Sequence, residues 1–297
     1  MILLLALGCN EDPSLRTLPR RQPDPVLPAG TGSTFPETTT TPEDTGLVAD
    51  TGGPNIPGTG LLIPPPSIAT ESSWCFTIAP IGRELGIFVV GMDSGTIEEF
   101  GRYGQIGSSN IRTGGFAYNG RDELVISESR MGFYVVDLDL QTHTYTSSAA
   151  ALDSVTFYDH QYLTYDINRQ GHRYSTSADV VADNISDFVP ETGWFTRSQV
   201  RGNLVFGAWH ATDAIEVWDV ATGQEEPTIF LEDYDTWVWG IGISGTYLHV
   251  LDDGREILPT WTPRLARFDM NGAAVNYVHL DGVNWDDEPK GLWCDGP

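Results

Sequence analysis

From residue 73 to the end, the chain is written in short apolar runs separated by turn chemistry, and no segment has the three-and-four spacing of an amphipathic helix. Phe133-Tyr134-Val135-Val136-Asp137, Ile215-Glu216-Val217-Trp218-Asp219 and Leu265-Ala266-Arg267-Phe268-Asp269 each read as a strand that stops at an aspartate. Ala221-Thr222-Gly223 and Met270-Asn271-Gly272 follow as turns, and a carboxylate there can accept from the turn's own amides, so Asp137, Asp219 and Asp269 read as turn-fixing residues. A second recurring unit is a tight turn that opens into a strand. It occurs at Ile81-Gly82 before Ile87, Tyr118-Asn119-Gly120 before Leu124, Asp159-His160 before Tyr162, Arg201-Gly202 before Leu204 and Ser244-Gly245 before Tyr247. Glycine suits such hairpins because it takes positive φ without a steric cost.

These units keep time. Strands taken as the second of each set begin at 87, 124, 162, 204 and 247, stepping by 37, 38, 42 and 43 residues. A beat near forty residues is that of a four-stranded propeller blade, whereas a sandwich predicts no such period. The expected fold is therefore all-β, a five-bladed propeller over residues 73–297, with six blades as the alternative if the last segment hides one. Blades converge on an axis, so the innermost strands are the most crowded. Gly114-Gly115-Phe116-Ala117 and Trp239-Gly240-Ile241-Gly242-Ile243 are candidates for that position, since glycine in a strand marks close backbone approach. Val217-Trp218-Asp219-Val220-Ala221-Thr222-Gly223 resembles the strand and turn of WD-repeat and related bacterial surface propellers. No Gly-His pair of a full WD repeat stands in the forty residues before it, and the stretch from about 155 to 188 fits the beat poorly.

The first part of the chain is of another kind. Met1–Leu7 is apolar and leads to Ala6-Leu7-Gly8-Cys9, which resembles the cleavage box of a bacterial lipoprotein signal peptide, although no positive n-region precedes it. The resemblance implies removal of residues 1–8 and acylation of Cys9. Asn10 after the cysteine matches the outer-membrane sorting pattern. A buried strand over Ile2–Leu7 with a core cysteine is the alternative. Between Asn10 and Ser72, 12 Pro, 7 Gly and 15 Ser or Thr make up 34 of 63 residues, and Phe35 is the only aromatic. Such a segment buries too little apolar surface to offset its ordering entropy. Residues 9–72 are thus expected to be a lipidated cysteine and a disordered linker, reaching ~45 Å as a coil. With two or more acyl chains, the anchor would hold stably on a bilayer.

Charge narrows the partners. Forty-one acids against 16 bases give −25, and Lys290 is the only lysine. Phosphate neutralisation needs clustered Lys and Arg, so no nucleic-acid partner is expected. No apolar run reaches the roughly 18–20 residues that span a bilayer. The expected partners are the membrane through the lipid anchor and an envelope protein or glycan, at a bacterial cell envelope facing the periplasm or the surface.

Three cysteines are too few for a disulfide-dense miniprotein or a four-thiolate zinc site. Cys75 opens the repeating region and Cys294 closes it, and a propeller seals its ring by mixing strands from both ends in one blade. That closure would bring Cys75 beside Cys294, and the oxidising compartment implied by the signal resemblance would let a disulfide persist. Two buried free thiols are the alternative.

Catalytic motifs are sparse. No HExxH, Gly-x-Ser-x-Gly, P-loop or Cys-x-x-Cys occurs. Gly91-Met92-Asp93-Ser94-Gly95 has a superficial likeness to a serine-protease loop but reads as a turn between second and third strands. The six histidines have no metal-ligand spacing. Acidic stretches at 232–235, 252–253 and 286–288 leave calcium as a conceivable ligand, without a recognised loop pattern. The most suggestive loop residues are Trp209, His210, Trp237, Trp239, Asp253 and Trp261, which suit a carbohydrate- or peptide-binding face; packing of these tryptophans between blades is the alternative. The expected function is a non-catalytic, lipid-anchored binding protein. A propeller hydrolase or lyase with a channel metal, similar to gluconolactonases, is the second possibility.

Overall fold

The computed structural model describes residues 62–106, 113–128, 132–147, 152–166, 170–189, 195, 197–208, 211–232, 236–252, 262–280 and 289–295. Residues 1–61, and with them the signal segment, Cys9 and most of the linker, lie outside the described residues, as do Trp209, His210, Asp253 and Trp261.

Five antiparallel sheets form, each one blade. The first takes β1 (Trp74–Ile81), β2 (Glu84–Gly91) and β3 (Ile97–Gln105). The second is β4 (Thr113–Tyr118), β5 (Glu123–Glu128), β6 (Gly132–Asp137) and β7 (Thr142–Ser147). The third has β8 (Leu152–Tyr158), β9 (Gln161–Asp166) and β10 (Gly171–Tyr174), then helix α1 (Ser177–Ala182) before β11 (Asp187–Val189). The fourth holds β12 (Arg197–Arg201) and β13 (Leu204–Ala208); after the two-residue β14 (Ala211–Thr212) come β15 (Ala214–Asp219) and β16 (Glu225–Phe230). The fifth is β17 (Thr236–Ser244), β18 (Tyr247–Asp252), β19 (Arg264–Asp269) and β20 (Ala274–His279), with β14 paired to the edge of β17. The last strand, β21 (Lys290–Asp295), returns to pair with β1 and becomes the innermost strand of the first blade.

The inner strands β21, β4, β8, β12 and β17 pack side by side in a closed circuit. Apolar cores fill the gaps between successive blades. Phe76 and Ile87 meet Phe116 and Ile126; Val125 and Phe133 meet Val155 and Tyr162; Leu163 and Tyr165 meet Phe195 and Val205. Phe206 and Val217 meet Ile241 and Val250, and Trp239 and Leu251 meet Cys75 and Leu292. A strand between two such cores is buried on both sides, so β1 and β2 are near-continuous apolar runs, whereas the outer strands β7 and β16 are largely exposed.

The predicted inner-strand glycines stand where the crowding requires them. A Cβ on Gly115 would lie 2.3 Å from the Val155 backbone nitrogen of β8, and one on Gly240 would lie 2.7 Å from Leu292 Cβ of β21. The strand-ending aspartates fix their turns. Asp219 Oδ1 accepts from the amides of Ala221 at 2.9 Å and Thr222 at 2.7 Å; Asp269 Oδ1 accepts from Asn271 at 2.8 Å and Ala273 at 3.0 Å; Asp137 Oδ1 accepts from Leu140 at 2.8 Å.

Three expectations change. The strand at Ile87 is the third of its blade, not the second, because β21 occupies the axis and moves every strand of that blade outward by one place. For the same reason Gly91–Gly95 joins third and fourth strands. The poor beat between 155 and 188 comes from α1, inserted between β10 and β11 and closed by a capping box between Thr176 and Asp179. Finally, the packed region begins upstream of residue 73: Leu62 and Ile68 are buried in the core between the first two blades, and Leu62 N–H donates to Tyr118 Oη at 3.1 Å.

Candidate ligand-binding cleft

At the end of the axis where the inner strands β4, β8 and β12 turn back, their hairpin turns converge around an open cleft of about 400 Å³. Tyr118 and Asn119 come from the second blade, Phe157 to His160 from the third, Val200 and Gly202 from the fourth, and Trp293 from β21 of the first. Four blades thus contribute to one depression, because each inner strand delivers its last side chains to the same place.

Local chemistry holds the walls. Tyr118 packs edge-on to Trp293 with ring centroids 5.0 Å apart, and its hydroxyl donates to the Arg121 carbonyl at 3.0 Å. Burial raises the Tyr118 pKa; the Leu62 amide donated to its oxygen opposes this, while the carboxylates of Asp122 and Asp295 add to the rise. Asn119 Oδ1 accepts from the amides of Arg121 at 2.8 Å, Asp122 at 3.1 Å and Glu123 at 3.1 Å, which sets the shape of that turn. Tyr158 donates from its hydroxyl to Asn203 Oδ1 at 2.8 Å, tying the third-blade turn to the fourth-blade turn.

One turn departs from its relatives. In the fourth and fifth blades the equivalent two-residue turn starts with Gly202 at φ +57° and Gly245 at φ +48°. The third blade instead has Asp159 at φ 48° and His160 at φ 62°, both left-handed and neither glycine. A two-residue turn with positive φ at both positions favours Asn-Gly, and here two exposed functional side chains stand in its place.

Of the six residues expected at the site, only Trp237 and Trp239 are among the described residues. Trp237, at the start of β17, is 44% exposed, but Trp239, two residues on, is 6% exposed and packs among Leu251, Leu265 and Leu292 with Lys290 Nζ 5.6 Å from its ring centroid. Trp239 is therefore a wedge between blades rather than a ligand platform. Of the acidic stretch 252–253, Asp252 is committed elsewhere: its Oδ2 accepts from Arg264 Nε at 2.9 Å and Nη2 at 2.8 Å, with both side chains buried. Ser94 holds a turn, its hydroxyl bonded to the Glu71 carboxylate and, at 2.7 Å, to Thr96 Oγ1.

Cys75 and Cys294 face each other across β1 and β21 with sulfurs at disulfide distance, 2.06 Å. His249 is the third member of that cluster, with potential ligand atoms within 4.8 Å of one another, but the two sulfurs are bonded to each other. Its Nε2 is 2.7 Å from Ser244 Oγ, and burial, helped by the Arg267 charge, lowers its pKa to about 3.

The cleft residues were passed over in the sequence as turn punctuation. The available signal was Asp159-His160, the one hairpin among the five repeats that lacks glycine.

No protein-family model matches the chain, and no curated protein matches it. Solved structures similar to it include Kuenenia stuttgartiensis hydrazine synthase, at 14% identity and a TM-score of 0.38 over 58% of this chain and 50% of that one. The U3-55K structure aligns at 11% identity and a TM-score of 0.37, covering 69% of this chain and 67% of the other. The computationally designed Ika4 protein aligns at 11% identity and a TM-score of 0.32, over 54% and 92%. The chain spans half the length of the hydrazine synthase chain it matches.

Proposed function

We propose that this chain is a non-catalytic binding protein of a bacterial cell envelope, a propeller that offers the cleft at the end of its axis to a ligand. The observation that carries the reading is the convergence of aromatic and polar residues from three blades, with Val200 and Gly202 of a fourth, on one open depression. Loops and turns on a rigid scaffold are where recognition resides. Glycine at the tightest inner-strand positions supports a binder over an enzyme, since a channel metal would need carboxylates or imidazoles there. Acylation of Cys9 and a linker up to residue 61 would hang the propeller from a membrane, with the chain entering the packed region at Leu62, bonded to the cleft residue Tyr118.

Two measurements test this. Detergent phase partition of the protein made in bacteria should send the native chain to the detergent phase and Cys9→Ser to the aqueous phase; equal partition removes the anchor. Arrays of peptides and glycans should yield a ligand for the native chain that the double substitution Asp159→Asn/His160→Gly loses. An unchanged pattern, or an empty array, overturns the cleft.

A further inference from the structure

The cleft combines features that single out one kind of ligand. Its walls are ring systems from three blades, Trp293, Tyr118, Phe157 and Tyr158. Asp159, a carboxylate residue, is part of the lining, while Arg121 and Arg201, in the same set of turns, are not. Two further carboxylates, Asp122 and Asp295, act on the Tyr118 hydroxyl. The whole chain carries −25. Aromatic faces with a negative field attract cations, because the ring quadrupole presents electron density to them.

The Arg173 guanidinium sits 5.7 Å from the Tyr158 ring centroid, so that ring already has a cation of the protein's own, and the rings left to a ligand are those of Trp293 and Phe157. Backbone conformation also marks the site. Asp159 and His160 occupy left-handed positions where the fourth and fifth blades use glycine at the first site. Left-handed backbone costs free energy for residues other than glycine, and such outliers cluster at ligand clamps. The cost is tolerated in the one two-residue turn whose central residues both line the cleft.

We propose that the cleft binds an organic cation, an ammonium or guanidinium group such as a lysine or arginine side chain of a peptide, seated on Trp293 and Phe157 with Asp159 as its counter-ion. This rests on reading the cleft as a binding site and adds the chemistry of what enters it. The negative charge of the chain steers the cation in, so binding weakens as salt rises.

The test is calorimetric titration of the full chain with N-acetyl-lysine methylamide and N-acetyl-arginine methylamide, beside the neutral N-acetyl-norleucine methylamide and N-acetylglucosamine, at low and at physiological salt. The expected result is saturable binding of a cationic probe that weakens with salt and that the neutral probes do not match. Asp159→Asn should weaken it about fivefold or more. Asp159→Asn/His160→Gly should weaken it equally while leaving the melting temperature unchanged or higher, which separates loss of ligand from loss of fold. A neutral probe that binds as well as the cations overturns the ligand class while leaving the binding function standing. No response to any probe overturns the class as well, and the array experiment then decides whether the cleft binds at all.

Discussion

Gly242 sits directly against the disulfide: a Cβ placed on it would lie 2.0 Å from Cys294 Sγ and 2.9 Å from Cys294 Cβ. The two residues belong to β17 and β21, neighbouring inner strands of the fifth and first blades, so ring closure and the absence of a side chain at 242 are one requirement. Gly242→Ala should destabilise the fold by about 1–3 kcal/mol through overpacking, measured by chemical denaturation. A stability equal to native would mean that the inner strands can spread, and the account of crowding at the axis would fall.

The disulfide spans 219 residues of sequence. Closing so long a loop in the unfolded chain contributes at most ~5 kcal/mol of stability by chain entropy. Non-reducing peptide mapping should return one Cys75–Cys294 crosslinked peptide, and Cys75→Ser/Cys294→Ser should shift the denaturation midpoint downward. Two alkylatable thiols in the native protein would contradict the bond.

Stability should depend on His249 in mildly acidic solution. In the folded state its pKa lies near 3, whereas an unfolded histidine titrates near the ordinary value of 6.5. Between those values the unfolded chain binds a proton that the folded chain refuses. The stabilisation is complete above pH 6.5 and is lost progressively as pH falls toward 3, by up to about 1.4 kcal/mol per pH unit. Denaturation midpoints across this range should fall for the native protein and fall less for His249→Gln. Parallel curves would rule out burial of a neutral imidazole.

At the acid end of that window a carboxylate adds its own loss. Burial alone would raise the Asp93 pKa, but hydrogen bonds from the Ser72 amide and hydroxyl and from Arg267 outweigh it and hold the value below the ordinary carboxylate range. Its contribution is present above the unfolded pKa of about 3.9 and lost as pH drops through the lower folded one. Asp93→Asn should therefore remove part of the acid-induced loss below pH ~4, read from the same midpoints. An identical acid limb would show that Asp93 contributes nothing.

Arg264 and Asp252 form an ion pair with side-chain exposures of 2% and 0%. Removing one partner strands a buried charge, so Arg264→Met should cost about 3–5 kcal/mol, and adding Asp252→Leu should recover most of it. Additive losses in the double variant would refute the coupling.

How much of this was readable in the residues follows from distance along the chain. The period, the turn-fixing aspartates and the inner glycines are local signals repeated about every forty residues, and each was legible. The cysteine pair was legible because ring closure forces the ends together. The phase of the first blade was not, since the position of Ile87 depends on β21, which lies two hundred residues away. The cleft was hidden for a related reason. Asn119, His160, Gly202 and Trp293 are unremarkable turn or strand residues one at a time, and only the convergence of four inner strands makes them neighbours. The Asp252–Arg264 pair was not legible, since only the pairing of β18 with β19 places the two in register as direct partners.

The seam between β1 and β21 also sets the order in which the molecule can be finished. A growing chain that has not yet released Lys290–Asp295 lacks the innermost strand of its first blade, and leaves a bare strand border on β1. Such borders recruit strands from other chains. Any truncation upstream of residue 290 should therefore yield a sticky, incomplete wheel, not a smaller soluble one.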